Sequence, residues 1–485
     1  MIPPFPSMLA HSPEATVAWT TAALALCLAV GCLLAVHSLM HTRSTQGAIA
    51  WIICLVTIPV VAVPLYLVFG MRRIERRTKR EMAACGADTL QPLMEPFLAE
   101  GNAVGRTLRQ CCGCAPCSGN AVELLRDGND TYPELERAIR AARRFVMVEF
   151  YIIRSDKVGD KLRDLLMERA RAGLDVYVIY DEIGSMKLPQ GYLGELRQAG
   201  VKVAPFNGRR FWLSSILRVN FRNHRKLVVV DGTLAYMGSL NIGLEYWRSK
   251  RPRKRNEYWR DTFISLQGPA VCQTMQSFMR DWYRATGENI GPKVQVQPAA
   301  AGTQTCQLIP SSPNDGATSH WHTLVQELAA QARERLWLTT PYFVPTEALY
   351  SALQGAALRG VDVRILVPQR SDNKMADLAR LTFQRGLVSR GVKMLAYTPG
   401  VLHEKVTLMD HELCSIGSAN MDERSLRLNF ELTMLMEGRE MNARVAAMLE
   451  DDMSRCVELE ADAFEKSSWP VRVAARVFRL FSPVL

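Results

Sequence analysis

HRKLVVVD, His224 to Asp231, and HEKVTLMD, His403 to Asp410, are two copies of one pattern, His-x-Lys-x4-Asp. Gly-Ser-x-Asn follows each copy, at Gly238 to Asn241 and at Gly417 to Asn420. A chain that writes the same polar arrangement twice, on otherwise apolar strands, is constrained to fold as two similar units. The segments ahead of each copy agree. YPELERAIRAARR reads as a helix and FVMVEFYII as a buried strand, and GDKLRDLLMERARAG, LDVYVIYD, GYLGELRQAG and VKVAPF continue the alternation. HWHTLVQELAAQARER, LWLTTPYFV, EALYSALQGAALRG, VDVRILVP, ARLTFQRGLVSRG and VKMLAYT repeat that order. Alternating helices and strands predict two α/β halves of similar fold, with helices covering the sheet.

The motif's geometry points to chemistry. In LVVVDG the strand runs into Asp-Gly, a hairpin turn signal, and TLAYMGS returns antiparallel. Residues two apart on a strand share a face, so His224 and Lys226 point one way, as do His403 and Lys405. Asp231 lies seven residues beyond His224, an offset that places it in the turn. A lone histidine reads most simply as a satisfied core residue, but two, each with Lys at +2 and a Gly-Ser-x-Asn return, do not. These groups suit displacement at a phosphodiester. One neutral imidazole can attack phosphorus and form a phosphohistidine. The other can protonate the departing alkoxide and then deprotonate the acceptor. Two lysines can neutralise the non-bridging oxygens, and Ser239, Asn241, Ser418 and Asn420 can donate further hydrogen bonds to the phosphate. No carboxylate cluster calls for a catalytic metal, and the reaction requires no metal or cofactor. One site between the halves needs one motif from each.

The pair of motifs resembles the signature of the phospholipase D superfamily. The wider pattern is similar to the bacterial cardiolipin synthases of that superfamily, in PLYLVFG, NFRNHRK, YWRDTFISLQGPAV, TTPYFVP, GSANMDERS and LNFE. The resemblance implies two phospholipase D-like α/β domains forming one shared active site. It also implies transfer of a phosphatidyl group between two phosphatidylglycerol molecules, giving cardiolipin and glycerol. By the same resemblance His224 is the nucleophile and His403 the acid/base, Lys226 and Lys405 bind phosphate, and Asp231 and Asp410 organise the site. A phospholipase D-type hydrolase, or another phosphatidyltransferase, uses the same histidines and differs only in its acceptor site. A nuclease and a non-catalytic scaffold are the remaining rivals. Intact motifs speak against the scaffold.

A membrane segment speaks against the nuclease. Ala15–Val36 and Gly47–Gly70 contain no charged residue, and each meets the roughly 20 apolar residues that a bilayer core demands. Pro59 and Pro64 predict a kink or broken turn in the second. The loop between them carries only Arg43, whereas Met71–Arg80 carries six Lys or Arg. The two stretches predict a two-helix transmembrane hairpin, and the excess beyond the second places the catalytic domains in the cytoplasm; the resemblance implies that the membrane is a bacterial inner membrane. The formal charge of +11 and pI of about 9.1 suit anionic membrane lipids as partners, with no nucleic acid required. The oligomeric state is not legible.

The organisation expected is therefore a transmembrane hairpin over 1–72 and a basic, Cys-containing linker over 73–119. The phospholipase D-like domains follow at 120–290 and 305–460, joined by a Pro-, Ala- and Gly-containing linker at 291–304. A basic amphipathic tail over 461–485 places Arg472, Arg476 and Arg479 opposite apolar residues, as an interfacial or a docked helix. Two features stand outside the family pattern. CCGCAPC, with Cys111, Cys112, Cys114 and Cys117, reads as a tolerated or redox-sensitive loop or as a soft-metal site lacking the usual two-knuckle spacing. WRSKRPRKR, Trp247 to Arg255, reads as a solvated loop or an anionic-lipid contact.

Overall fold

A computed structural model describes residues 13–42, 45–70, 84–206, 221–247, 258–315 and 318–482. The basic run Met71–Arg80 and the basic loop 248–255 lie outside these residues. The chain divides into an N-terminal unit, Met1–Glu75 with Arg209–Asn220, and a second unit holding the rest.

In the N-terminal unit, helix Pro13–His41 contains a 26-residue stretch, Thr16–His41, long and apolar enough to cross a membrane. The second apolar stretch is not one continuous span. It is divided into helix Thr45–Thr57, helix Pro59–Leu65 and a π-helical turn Tyr66–Gly70. The break falls at Ile58, which Pro59 pushes out of the helical region (φ −133°, ψ 55°). The described residues thus contain one helix of spanning length where two were expected. The pieces pack around Ala35, Leu55, Ala62 and Tyr66. Gly31 sits where a Cβ would lie 2.3 Å from the Leu55 carbonyl oxygen, so only glycine permits that crossing.

The second unit is built on strands. The first half supplies β1 Cys117–Arg126, β2 Phe145–Phe150, β3 Asp175–Asp181, β4 Lys202–Phe206, β5 Lys226–Val230, β6 Leu234–Gly238, β7 Trp259–Arg260 and β8 Thr262–Gln267. The second half supplies β9 Gln304–Ser311, β10 Arg335–Thr339, β11 Phe343–Val344, β12 Asp362–Pro368, β13 Lys393–Tyr397 and β14 Val401–Leu402. It continues with β15 Val406–Met409, β16 Leu413–Gly417, β17 Met421–Asp422, β18 Glu431–Glu437 and β19 Cys456–Glu458. Fifteen form one sheet, ordered β19-β13-β12-β10-β15-β16-β18-β9-β1-β8-β6-β5-β2-β3-β4. The antiparallel pair β1–β9 lies at the centre, and apart from β19 the order reads alike in both directions from it. That is the duplication expressed as pseudo-two-fold symmetry. Each half keeps its own apolar core, one around Val146, Val176 and Val228, the other around Leu338, Val363 and Ile365.

Within the segment expected as a basic, Cys-containing linker, the described residues from 84 onward carry regular structure. Residues 87–97 form short helical turns, Ala103–Cys112 is a helix, and Cys117 already opens β1. Val104 and Leu108, one helical turn apart, enter the core of the second half. Their short amphipathic pattern is hidden among Gly and Cys. Between the halves, a 3-10 turn at Gly291–Lys293 precedes β9, which begins at Gln304. At the C-terminus, helix Trp469–Leu480 is docked, with Ala475 buried and the Arg479 guanidinium 4.6 Å over the Phe383 ring.

Candidate active site

Two crossings between the halves position the histidines. Asn223 bridges to Phe430 in parallel, and β14 pairs in parallel with β7 through Val401–Trp259 and Leu402–Arg260. The next residues then meet the other half's backbone. His224 N–H donates to the Phe430 carbonyl (2.9 Å), and His403 N–H donates to the Arg260 carbonyl (2.8 Å). In each partner the following residue is an acid. His224 Nδ1 lies 3.0 Å from both oxygens of Glu431, and His403 Nδ1 lies 2.8 Å from Asp261 Oδ1. Each half therefore orients the other half's histidine.

The Gly-Ser-x-Asn returns support those acids. Ser239 Oγ donates to Asp261 (2.7 Å) and Ser418 Oγ to Glu431 (2.5 Å). Glycine precedes each serine because the strands approach closely. A Cβ at Gly238 would lie 2.4 Å from Thr262 O, and one at Gly417 would lie 2.5 Å from Leu432 O. Ser425 and Asn429 also donate to Glu431, at 2.9 and 3.1 Å. The serines expected at the phosphate thus find a carboxylate as their immediate acceptor. Asn241 donates to the Tyr246 hydroxyl (2.8 Å) and accepts from Ile152 N–H (3.2 Å), locking the loop. Asn420 donates to Asp422 (3.0 Å), while its buried Oδ1 has no hydrogen-bond partner.

Burial sets the protonation states. It brings His224 down to about 4 against the opposing pull of the Glu431 charge, and it lowers His403 as well. Burial alone would raise Glu431 and Asp261, yet the facing imidazoles hold both low. Each pair is accordingly a neutral imidazole donating Nδ1–H to a carboxylate, which leaves Nε2 as the free nitrogen. Lys226 and Lys405 reach back to the carbonyls of His224 and His403. Burial lowers Lys226 well below its usual value and brings Lys405 down to about 8. Lys405 also disfavours protonation of His224, so charge from one half is felt in the other.

Asp231 and Asp410 lie elsewhere. Asp231 follows the last residue of β5, whose first residue is Lys226. Five strand steps of about 3.3 Å put it roughly 16 Å from the lysine end. From the left-handed region (φ 53°) it accepts from the backbone N–H groups of Arg143, Arg144 and Phe145 at 2.8–3.0 Å. Asp410 (φ 47°) does the same for Arg333, Glu334 and Arg335 at 2.8–3.2 Å. They fix the entry of β2 and β10, and they do not meet the histidines.

Asp261 and Glu431 are the residues that motif reasoning passes over. Their signal is an acid at the head of a buried strand downstream of each Gly-Ser-x-Asn return, Asp261 just before β8 and Glu431 as the first residue of β18. The x of His-x-Lys also matters. Arg225 is buried, forms an ion pair with Asp281 and donates to the Glu431 carbonyl (3.2 Å). Glu404 faces Arg260 (3.2 Å), which also pairs with Asp452 (2.8 Å) and Asp127 (3.4 Å). Tyr151 packs edge-on against His224 (4.9 Å between ring centres), and Trp259 packs against His403 (4.8 Å). Among the described residues no group of three or more His, Cys, Asp or Glu is placed to hold a metal. Cys111, Cys112, Cys114 and Cys117 are all free thiols.

Two carboxylate-held imidazoles and two buried lysines, shared by duplicated α/β halves, can displace an oxygen at phosphorus and return the proton. That makes the class a phosphodiester-transferring enzyme. A family model described as cardiolipin synthase, PLD-like domain, matches residues 135–282 and 325–453. Cardiolipin synthase A of Pseudomonas syringae pv. syringae (strain B728a) is 39% identical over 462 residues, 93% of this chain and 95% of the relative. That of Pseudomonas aeruginosa (strain LESB58) is 38% identical over 467 residues, 94% of each chain. The chain belongs to the cardiolipin synthase family with PLD-like domains, and it is a phosphatidyltransferase. A phosphatidylserine synthase structure from Haemophilus influenzae shares the fold at TM-score 0.60 and 15% identity, over 79% of this chain and 100% of that one.

Proposed function

We propose that the chain makes cardiolipin from two molecules of phosphatidylglycerol, through a phosphohistidine on His224. The observation that carries this reading is the reciprocal pairing, His224 with Glu431 and His403 with Asp261, which supplies two oriented imidazoles to one site. In the first step His224 Nε2 attacks the donor phosphorus as the bond to the departing glycerol oxygen breaks. His403 delivers a proton to that oxygen, and glycerol leaves. The negative phosphodiester arriving between them opposes the burial that keeps His403 neutral, so the imidazole gains the proton it must give. In the second step the headgroup hydroxyl of another phosphatidylglycerol gives its proton to His403 and attacks the same phosphorus. The P–N bond breaks and His224 is restored. Lys226 and Lys405 stand to offset charge on the non-bridging oxygens. Asp231 and Asp410 support the site only through the strands they cap.

The apolar N-terminal segments and the positive charge of 71–80 favour a multi-pass inner-membrane protein with both halves facing the cytoplasm. The test is a product assay on the purified chain in detergent, with phosphatidylglycerol as the only lipid. Cardiolipin and glycerol should appear together and vanish in His403→Ala. Phosphatidic acid and glycerol without cardiolipin would make water the acceptor and overturn the synthase reading.

A further inference from the structure

Helix Trp469–Leu480 carries more than its docked face. At about 100° per residue, Ala475 and Phe478 fall on the side packed against the second half, where Ala475 is buried and Phe478 joins the core. Trp469, Val473, Val477, Leu480 and Phe481 fall on a different arc of about 120°. All five are exposed, Trp469 by 70% and Leu480 by 79%. A contiguous apolar stripe turned to solvent is the exceptional observation, because a docked helix ordinarily turns its polar side outward.

The third arc says what covers it. Arg472, Arg476 and Arg479 lie together between the docked side and the apolar stripe, and no acidic residue occurs from Ser467 to Leu485. Arg479 reaches Glu347 at 2.7 Å, and the Arg476 guanidinium lies 5.6 Å over the Phe464 ring. Arg472 Nε is buried without a hydrogen-bond partner. An apolar stripe bordered by arginines, beginning with a tryptophan, is the composition that lies in a bilayer interface. There the apolar side chains enter the acyl boundary and the guanidinium groups meet anionic headgroups. A protein partner would not by itself require the basic border. The family's substrates are phospholipids, and the chain carries its own helix long enough to cross a bilayer.

We infer that the outward arc of helix Trp469–Leu480 is a membrane-contact surface, and that its occupant is the interface of an anionic phospholipid bilayer. It holds the second catalytic half against the lipid surface by a contact separate from the N-terminal helix. The inference does not depend on which histidine attacks or which lipid accepts.

The test uses the full chain in bilayer discs of phosphatidylglycerol and phosphatidylcholine, with plain or brominated acyl chains. The chain has nine tryptophans, so the Trp469 signal is isolated as wild type minus Trp469→Phe, a substitution on the outward arc that leaves the docked face intact. The expected result is that this component loses most of its intensity in brominated lipid and resists aqueous acrylamide. Quenching by acrylamide with no response to brominated lipid would overturn the inference. So would protection from both agents, which would mean that protein, such as a second copy of the chain, covers the arc.

Discussion

Glu431 opens β18 in the second half, yet its carboxylate lies 3.0 Å from the Nδ1 of His224, 207 residues earlier in the chain. Asp261 and His403 reverse the arrangement across 142 residues. Neither half can orient its own imidazole, so the duplication is needed for chemistry as well as for symmetry. The carboxylates hold the tautomer with Nε2 free. Replacing either with its amide removes that preference at almost constant shape. Glu431→Gln and Asp261→Asn should each lower kcat by about 10²–10⁴-fold, with unchanged thermal unfolding in detergent as the control. A loss of less than about tenfold in both would mean that orientation does not come from these acids.

The pH dependence follows from the buried lysines. Burial brings Lys405 down to about 8, so its ammonium form is lost as pH rises through that value. The free-enzyme profile, kcat/KM against pH in mixed micelles, should therefore fall above about pH 8. Lys405→Arg should move that limb upward, because guanidinium keeps its proton, although the absolute rate should drop with the altered reach. A wild-type profile still flat at about pH 10, near the ordinary lysine value, would remove Lys405 from the rate-limiting electrostatics.

Asp231 and Asp410 separate stability from chemistry. Asp231→Ala deprives three backbone N–H groups of their acceptor and leaves a Cβ residue in a left-handed turn. The expected cost is about 2–3 kcal/mol of folding stability, read as a lower unfolding midpoint in detergent. The turnover of the folded fraction should remain near wild type. A large fall in kcat with an unchanged midpoint would return Asp231 to the active site.

Arg260 is buried among Asp127, Glu404 and Asp452. Arg260→Met would strand these carboxyls and should destabilise the body by about 3–5 kcal/mol. Burial raises Glu404 to about 7 even with Arg260 opposing it. Without the guanidinium this carboxyl takes its proton at still higher pH, so its share of the stability deficit should shrink as pH falls toward about 7 and be gone below it. Chemical unfolding at two pH values measures this, and a deficit independent of pH would contradict the electrostatic account.

The motif spacing foretold much of this architecture. The helix and strand order before each copy matches the observed elements, because buried strands such as β3 and β12 are continuous apolar runs and their covering helices are periodic. The turn position of Asp231 was also legible from its offset of seven residues. Its function was not, since spacing alone does not say to which end of the strand the chemistry belongs. Asp261 and Glu431 escaped because their partners come from the other half, and no local spacing links residues brought together by a central β1–β9 pair. The helix Ala103–Cys112 escaped because it is short and its two core residues lie among cysteines and glycines. The second apolar stretch was legible in composition, and of the kink or broken turn expected from its prolines the structure has the break, at Ile58 ahead of Pro59.

The most direct test of the central account is to trap the covalent intermediate. The purified chain would be given phosphatidylglycerol labelled at phosphorus and quenched within one turnover, and the acid-labile adduct mapped by peptide. The account predicts label on the peptide containing His224, absent from His224→Ala. Label on His403, or an adduct persisting in His224→Ala, would contradict it.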